Sequence, residues 1–317
     1  MDLYIDGQAI PLLESEGDTL LRLSLAAGIP HQHACGGEAR CSTCRVRVLE
    51  GADLLAPPTA AERKLAKSLA FPPEIRLACQ CRPRVKGKGR VSVQRLIRDT
   101  LDAENLLAID EAGVREMNLV ILFSDLRGFT SFAEPLLPYD TVHILNRYFR
   151  VMGDAVLNHH GVIDKYMGDG LMALFGVEGE ACEQAAENGL RAGLAMLEAL
   201  ESFNGYLVDN GYRGEPLAMG VGIHAGTVVY GDMGHPGQVS RTAIGDPVNV
   251  ASRLESATKE AGHPILVSED FKRLLNGRLH SAGELEVALK GKSEPTLASK
   301  AIGLAGSPRC QPDQVSS

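Results

Sequence analysis

The 317-residue chain has no long apolar run. Stretches such as Leu119–Phe123 are far too short to cross a bilayer, so no helical membrane span is expected. A basic excess is missing too. The net charge of −8 argues against a nucleic-acid binder, which would ordinarily be positive. The N-terminus opens with Asp2 and alternates like a strand, unlike a secretory leader, and the expected location is cytoplasmic. No flavin or nicotinamide fingerprint is present to supply electrons. Among the seven cysteines there is one CxxC knuckle, Cys41–Cys44, where structural zinc sites usually pair two. Seven cysteines in a cytoplasmic chain point to metal or redox chemistry before disulfides.

What is present is unevenly spread. Residues 1–94 carry 13 Lys/Arg and 10 Asp/Glu, and the remainder carries 19 and 30. The first part is therefore +3 and the rest −11, which predicts a domain boundary near residue 95. In the first part, Asp6-Gly7 is a hairpin signal between Met1–Ile5 and Gln8–Leu13. Asp18 or Thr19 caps a helix running to Ala27 and ended by Gly28. Cys35, Cys41 and Cys44 then follow in CGGEARCSTC, and a further cysteine arrives in RLACQC at Cys79 or Cys81. Four thiolates on a glycine-rich loop suit zinc or an iron–sulfur cluster. Gly36 and Gly37 give the tight turns and free amides that such a loop needs.

The C-x5-C-x2-C spacing, the DG hairpin, the early helix and RLACQ together resemble a [2Fe–2S] ferredoxin of the adrenodoxin type. That resemblance implies a β-grasp fold for residues 1–94, with Cys35, Cys41, Cys44 and Cys79 as cluster ligands. Cys81 is a departure from the pattern and the alternative fourth ligand. Cys182 and Cys310 read as inert thiols. The basic run Arg82–Arg90 reads as a solvated edge loop or as a docking patch for an acidic redox partner protein. Residues 95–117 read as a helical linker through which any signal from the first domain would pass.

Residues 118–302 alternate strand and helix patterns. Asn118–Phe123, Val162–Met167, Leu171–Phe175, Leu217–His224 and Thr227–Tyr230 read as strands. Tyr139–His159, Glu183–Phe203 and Pro247–Thr258 read as helices, the last capped by Asp246 with Pro247 in its first turn. This order predicts an α+β sheet with helices on one face. Asp125 and Asp169 each stand at the exit of a short apolar strand. Two carboxylates on neighbouring strands can hold a pair of divalent cations. The glycine turn beside Asp125 leaves backbone amides free to face a phosphate.

FSDLRGFT, LNRYF, KYMGDG, GIHAGTVVYGDMG, AIGDPVNVASRLE and LKGK occur in that order, as in class III nucleotidyl cyclases. The resemblance implies a mixed sheet with helices around a ferredoxin-like core, and conversion of a nucleoside triphosphate to its 3′,5′-cyclic monophosphate and pyrophosphate. By the same resemblance Asp125, Asp169 and the backbone carbonyl of Leu126 hold two Mg²⁺ or Mn²⁺ ions. Arg253 meets transition-state charge, and Asn249, one helical turn away, orients the ribose. Lys290, with Lys292 as the alternative, meets phosphate, and Phe129 and Thr130 border the substrate. Lys165 and Thr242 read the base. A lysine only donates, which suits adenine N1 and not the N1–H of guanine. Threonine at 242 departs from the commoner aspartate and places the chain with a Thr-bearing bacterial-type subgroup. Metal and base residues of one site come from opposite subunits in that family, so a head-to-tail homodimer is implied. The expected activity is an adenylate cyclase regulated by its iron–sulfur domain. The alternatives are a guanylate cyclase, or an electron-transfer ferredoxin with an inactive cyclase-like scaffold. The tail from Gly303 reads as disordered.

Overall fold

A computed structural model describes residues 2–11, 17–84, 89–97, 113–235, 237–287 and 296–305. Lys290, Lys292, Cys310, most of the connector, the middle of the basic run and nearly all of the tail lie outside the described residues. The chain divides into two compact units, Met1–Val114 and Arg115–Ser317.

The first unit is built on strands β1 (Asp2–Ile5), β2 (Gln8–Ile10), β3 (Arg45–Glu50), β4 (Ile75–Leu77) and β5 (Arg90–Arg95), with helices α1 (Leu20–Ala26) and α2 (Ala60–Ser68). The sheet order is β2-β1-β5-β3-β4, with β1 and β5 parallel. Asp6 and Gly7 both have positive φ (51° and 83°), the backbone a two-residue hairpin requires. The Asp6 carboxylate accepts from the Arg95 backbone N–H at 2.8 Å, tying the first turn to the last strand. Thr19, not Asp18, caps α1, its hydroxyl accepting from Arg22 N. Leu3, Ile5, Leu20, Val46, Leu77, Val91 and Val93 close the core beneath α1.

The second unit comprises β6 (Arg115–Arg127), α3 (Phe129–Ala133), α4 (Pro138–Leu157), β7 (Val162–Met167), β8 (Gly170–Phe175), α5 (Cys182–Asp209), β9 (Ala218–His235), β10 (Gln238–Ile244), α6 (Asp246–Ala261), β11 (Ile265–Ser268), α7 (Glu269–Leu274), β12 (Leu279–Val287) and β13 (Thr296–Leu304). Its sheet runs β12-β13-β11-β9-β6-β8-β7, with β10 paired to β9. Helices cover both faces, not one. Val120 and Leu122 pack with residues of α4, α5 and α7, whereas Leu119, Ile121 and Phe123 pack toward Ala251 of α6. The reason lies in β6: its continuous apolar run presents hydrophobic side chains on both faces, and each must be covered.

The expected pair of strands over 217–230 is one strand, β9, whose register with β6 runs unbroken from Tyr230 to Ala218. Gly226 is not a chain break. A Cβ there would stand 2.6 Å from Pro247 Cγ, so the glycine admits the first turn of α6. Asp246 is the first residue of α6, with Gly245 in the cap position. Further along β9, a Cβ at Gly222 would collide with the backbone N of Glu255 and the backbone O of Ala251. Helix and strand are in backbone contact there, so neither can yield by changing a rotamer. Gly222→Ala is expected to destabilise the second unit by about 3 kcal/mol or more, read as a lowered denaturant midpoint.

Candidate active site and cysteine loop

The pairing of β6 with β8 reaches Ser124↔Leu171, which sets Asp125 beside Gly170. A Cβ at Gly170 would stand 2.9 Å from Asp125 Oδ1 and from Ser124 O, so glycine makes room for the carboxylate. Asp169 precedes it in the turn between β7 and β8, after Gly168 with φ 64°. Burial, and then the charge of Asp169, push the Asp125 carboxyl above its ordinary range, against a hydrogen bond from the Leu126 backbone. Among the described residues, no three His, Cys, Asp or Glu side chains are grouped to hold a metal ion. A cation at this corner would therefore take its remaining ligands from backbone, water and a bound phosphate.

Glu255 is the residue that motif reading passed over. It sits on α6 above β9, where a Cβ on Gly220 would stand 2.7 Å from its Oε1. Gly220 pairs with Asp125. Burial first, then the charge of Asp125, raise its carboxyl to about 7; Arg127 acts against this and Asp169 with it. The available signal was its place two residues after Arg253 in a predicted helix, which does not say where its side chain goes.

Lys165 and Thr242 meet although 77 residues separate them. Lys165 Nζ donates to Thr242 Oγ1 at 2.9 Å. Asp164, unnoticed in the sequence, joins them: its Oδ2 accepts from Thr242 Oγ1 at 2.9 Å and lies 3.1 Å from Lys165 Nζ. On α6, Asn249 is exposed and Arg253 half-buried, while Val250 and Leu254 anchor the helix in the core. Phe129 points into the hydrophobic core, its ring 6.2 Å from that of Phe132, so only its backbone can face a ligand; Thr130 is exposed. The predicted site residues thus gather as a carboxylate corner and a lysine–threonine pair, joined by the β7–β8 hairpin.

In the first unit the loop after α1 brings the thiols together as pairs. Cys35 interacts with Cys41, and Cys44 with Cys79. Gly36, Gly37 and Ala39 all have positive φ (68°, 90° and 55°) and curl the backbone around the sulfurs. Burial would raise the Cys35 thiol, yet the Arg40, Gly37 and Glu38 backbone amides and Cys41 hold it below its ordinary value. Cys79 is lowered to about 6, first by its bond to Cys44, then, against burial, by Gln80 and the Ala39 backbone. The Cys44 thiol is raised, by Cys79 first and then by burial. Backbone N–H groups aimed at sulfur are what a thiolate-ligated cluster needs, so the donor set fits a [2Fe–2S] group. Cys81 stands elsewhere, fully buried and raised to about 12 by burial, near the Arg76–Glu62 ion pair of 2.7 Å.

A pH effect follows from Glu255. Its folded value lies above the ordinary 4.5, so folding favours the protonated form. The stability it contributes is complete below the unfolded value and is lost as pH rises through about 7. Glu255→Gln is expected to raise the thermal midpoint near about pH 8 and change it little near about pH 5, measured with a chelator present.

Residues 114–298 match the family described as the adenylate and guanylate cyclase catalytic domain, and residues 3–84 match the 2Fe-2S iron–sulfur cluster binding domain. An adenylate cyclase of Anabaena cylindrica is 39% identical over 193 residues, which is 59% of this chain and 37% of that protein. Adenylate cyclase 1 of Rhizobium meliloti is 36% identical over 147 residues, 46% of this chain and 22% of that protein. The chain thus spans well under half the length of these curated relatives. Among solved structures, the guanylyl cyclase Cya2 is 34% identical with a TM-score of 0.57, covering 61% of this chain and 96% of that one. The adenylyl cyclase CyaB from P. aeruginosa is 31% identical with a TM-score of 0.57, covering 60% and 96%. No helix among the described residues is long and apolar enough to cross a membrane. With its fold, its carboxylate corner and a match over more than half its length, the chain belongs to the adenylate and guanylate cyclase catalytic domain family, behind an iron–sulfur cluster binding domain.

Proposed function

We propose that the protein is an adenylate cyclase, working in the cytoplasm as a head-to-tail homodimer, whose activity responds to the state of an N-terminal [2Fe–2S] cluster. The observation that carries the substrate assignment is the 2.9 Å contact between Lys165 Nζ and Thr242 Oγ1. It presents a donor and an acceptor side by side, the complement of adenine N1 and its exocyclic amine. The matched family includes both adenylate and guanylate cyclases, so base choice rests on these two side chains.

In the reaction, the ribose 3′-oxygen of ATP forms a bond to the α-phosphorus. The bond from that phosphorus to the bridging oxygen breaks, pyrophosphate leaves, and the 3′-hydroxyl gives up its proton. Asp125, Asp169 and the Leu126 carbonyl would hold two Mg²⁺ or Mn²⁺ ions, which lower the pKa of the 3′-hydroxyl and bind the triphosphate. Lys165 and Thr242 of the other protomer fix the purine, and Asn249 orients the ribose. Arg253 lays its planar guanidinium against the oxygens on which charge builds. The turn through Phe129 and Thr130 offers backbone amides, and Lys290 offers a cation, to the phosphates. Val229, Val239 and Ile244 expose apolar surface on β9 and β10, which supports burial against a second copy.

Cys35, Cys41, Cys44 and Cys79 would ligate the cluster, and a redox partner protein would set its state. The supporting observation is the set of backbone amides curled around Cys35 and Cys79.

With purified protein and Mg²⁺ or Mn²⁺, ATP is expected to be cyclised faster than GTP. Asp125→Ala should abolish product while leaving cluster absorbance intact, and Arg253→Ala should lower kcat by about 10²–10³-fold. Lys165→Glu combined with Thr242→Cys should move preference toward GTP; faster GTP turnover by the unmutated chain would establish the guanylate reading instead. Cyclic AMP synthesis should also differ between the oxidised, reduced and cluster-free protein. Equal rates in all three would reduce the first unit to a passive attachment.

A further inference from the structure

β7 departs from regular pairing at one place. Ile163 faces Ala173 and Lys165 faces Met172, leaving Asp164 as an extra residue between them. In a regular strand, neighbouring side chains point to opposite faces. A bulge re-aims one of them. Here it turns both Asp164 and Lys165 toward the same atom, the hydroxyl oxygen of Thr242 on β10.

The hydrogen bonds leave little freedom. Thr242 has one hydroxyl proton, and it is directed to Asp164 Oδ2. One lone pair of Oγ1 takes a proton from Lys165. What the threonine can still offer an incoming base is a second lone pair, so it is an acceptor only. Lys165 is directed at both Thr242 and Asp164, which leaves one of its three protons for the base. The Asp164 side chain is 0% exposed, and its Oδ1 has no hydrogen-bond partner. A buried, half-satisfied carboxylate costs stability, and such a group asks for a reason.

We propose that Asp164 is a positioning residue that fixes the hydrogen-bond direction of Thr242 and thereby makes the base subsite selective for adenine. With Lys165 on ring N1 and Thr242 on the group at position 6, a locked acceptor accepts from the adenine amine and repels the guanine O6. Without Asp164 the hydroxyl can rotate and donate to O6, and one barrier to guanine is gone. The inference deepens the adenylate reading and rests on it.

The test uses the full-length protein. The measurements are kcat/KM for ATP and GTP, and Kd for their α,β-methylene analogues, in the unmutated chain, Asp164→Asn and Asp164→Ala. The ATP-to-GTP ratio should fall by about tenfold or more in Asp164→Ala, which removes the acceptor, in binding as well as in turnover, and by less in Asp164→Asn, whose amide oxygen still accepts. Thr242→Ser, which keeps the hydroxyl, should preserve the ratio. Failure of the adenylate reading shows in the unmutated chain, as GTP bound and cyclised in preference to ATP. Failure of the Asp164 proposal shows as an ATP preference that Asp164→Ala retains while weakening the two nucleotides equally. Loss of folding in both variants would also overturn it, since the carboxylate would then serve the fold.

Discussion

Like charges concentrated at one corner of the second sheet set the terms for the rest of that unit. Asp125 is raised by burial and by Asp169, and Glu255 by burial and by Asp125. A fold optimised only for stability would not place these groups together, because each makes the ionisation of the next harder. The backbone nonetheless holds them there. β6 and β9 pair without a break across thirteen residues, so Asp125 cannot retreat. Gly170 removes the Cβ that would crowd its carboxylate, and Gly220 and Gly222 let α6 lie flush enough to deliver Glu255. On the proposed reading, divalent cations relieve this repulsion, and nucleotide binding and stability are linked through the same charges.

The β7–β8 hairpin extends that constraint to the Lys165–Thr242 pair, the base-reading residues on the proposed reading. Asp169 sits at its tip, and Lys165 lies four residues earlier, in β7. The hydrogen-bonded pairing of β7 with β8 holds the two in a fixed relation within one hairpin. In a head-to-tail dimer one hairpin would serve two sites, its tip in one and its lysine in the other. The bulge at Asp164 then has a second consequence. It sets the face on which Lys165 emerges, and a register slip of one residue would turn the lysine away from Thr242.

The strands flanking Asp169 and the three long helices were legible because their apolar periodicity is strong. β10, β12 and β13, whose apolar patterns are weaker, and the four-residue β11 were not. The second helical layer could have been read from β6, since Leu119 to Phe123 is apolar at every position and alternation fails there. Gly226 misled for a physical reason. A glycine within a strand pattern signals either a break or a close approach, and only the position of Pro247 distinguishes them. The meeting of Lys165 with Thr242 was accessible through resemblance alone, because no local pattern relates residues so far apart. Asp164 was hidden by the bulge. Simple alternation places it on the face opposite Lys165, and nothing in DKYMGDG marks the irregularity. Spacing left Cys79 and Cys81 as alternatives; burial beside Arg76 and Glu62 is what separates Cys81 from the other thiols.

Joining an iron–sulfur unit to a cyclase poses a physical question of its own. Cyclisation of ATP moves no electrons, so the cluster has no step in turnover to perform. On the proposed reading, its influence on rate would come through an equilibrium between conformations or assembly states, which it could shift only by the difference in free energy its own states have for each. A composite site shared by two protomers is suited to such control. Misplacement of the reacting groups by about 1 Å can cost about 10²-fold in rate. Modest changes in dimer geometry would therefore suffice, with no rearrangement inside either unit. The rigid pairing of β6, β8 and β9 favours this route. It fixes Asp125 and Asp169 relative to one another within a protomer and, in the proposed dimer, would leave the relation between protomers as the adjustable quantity.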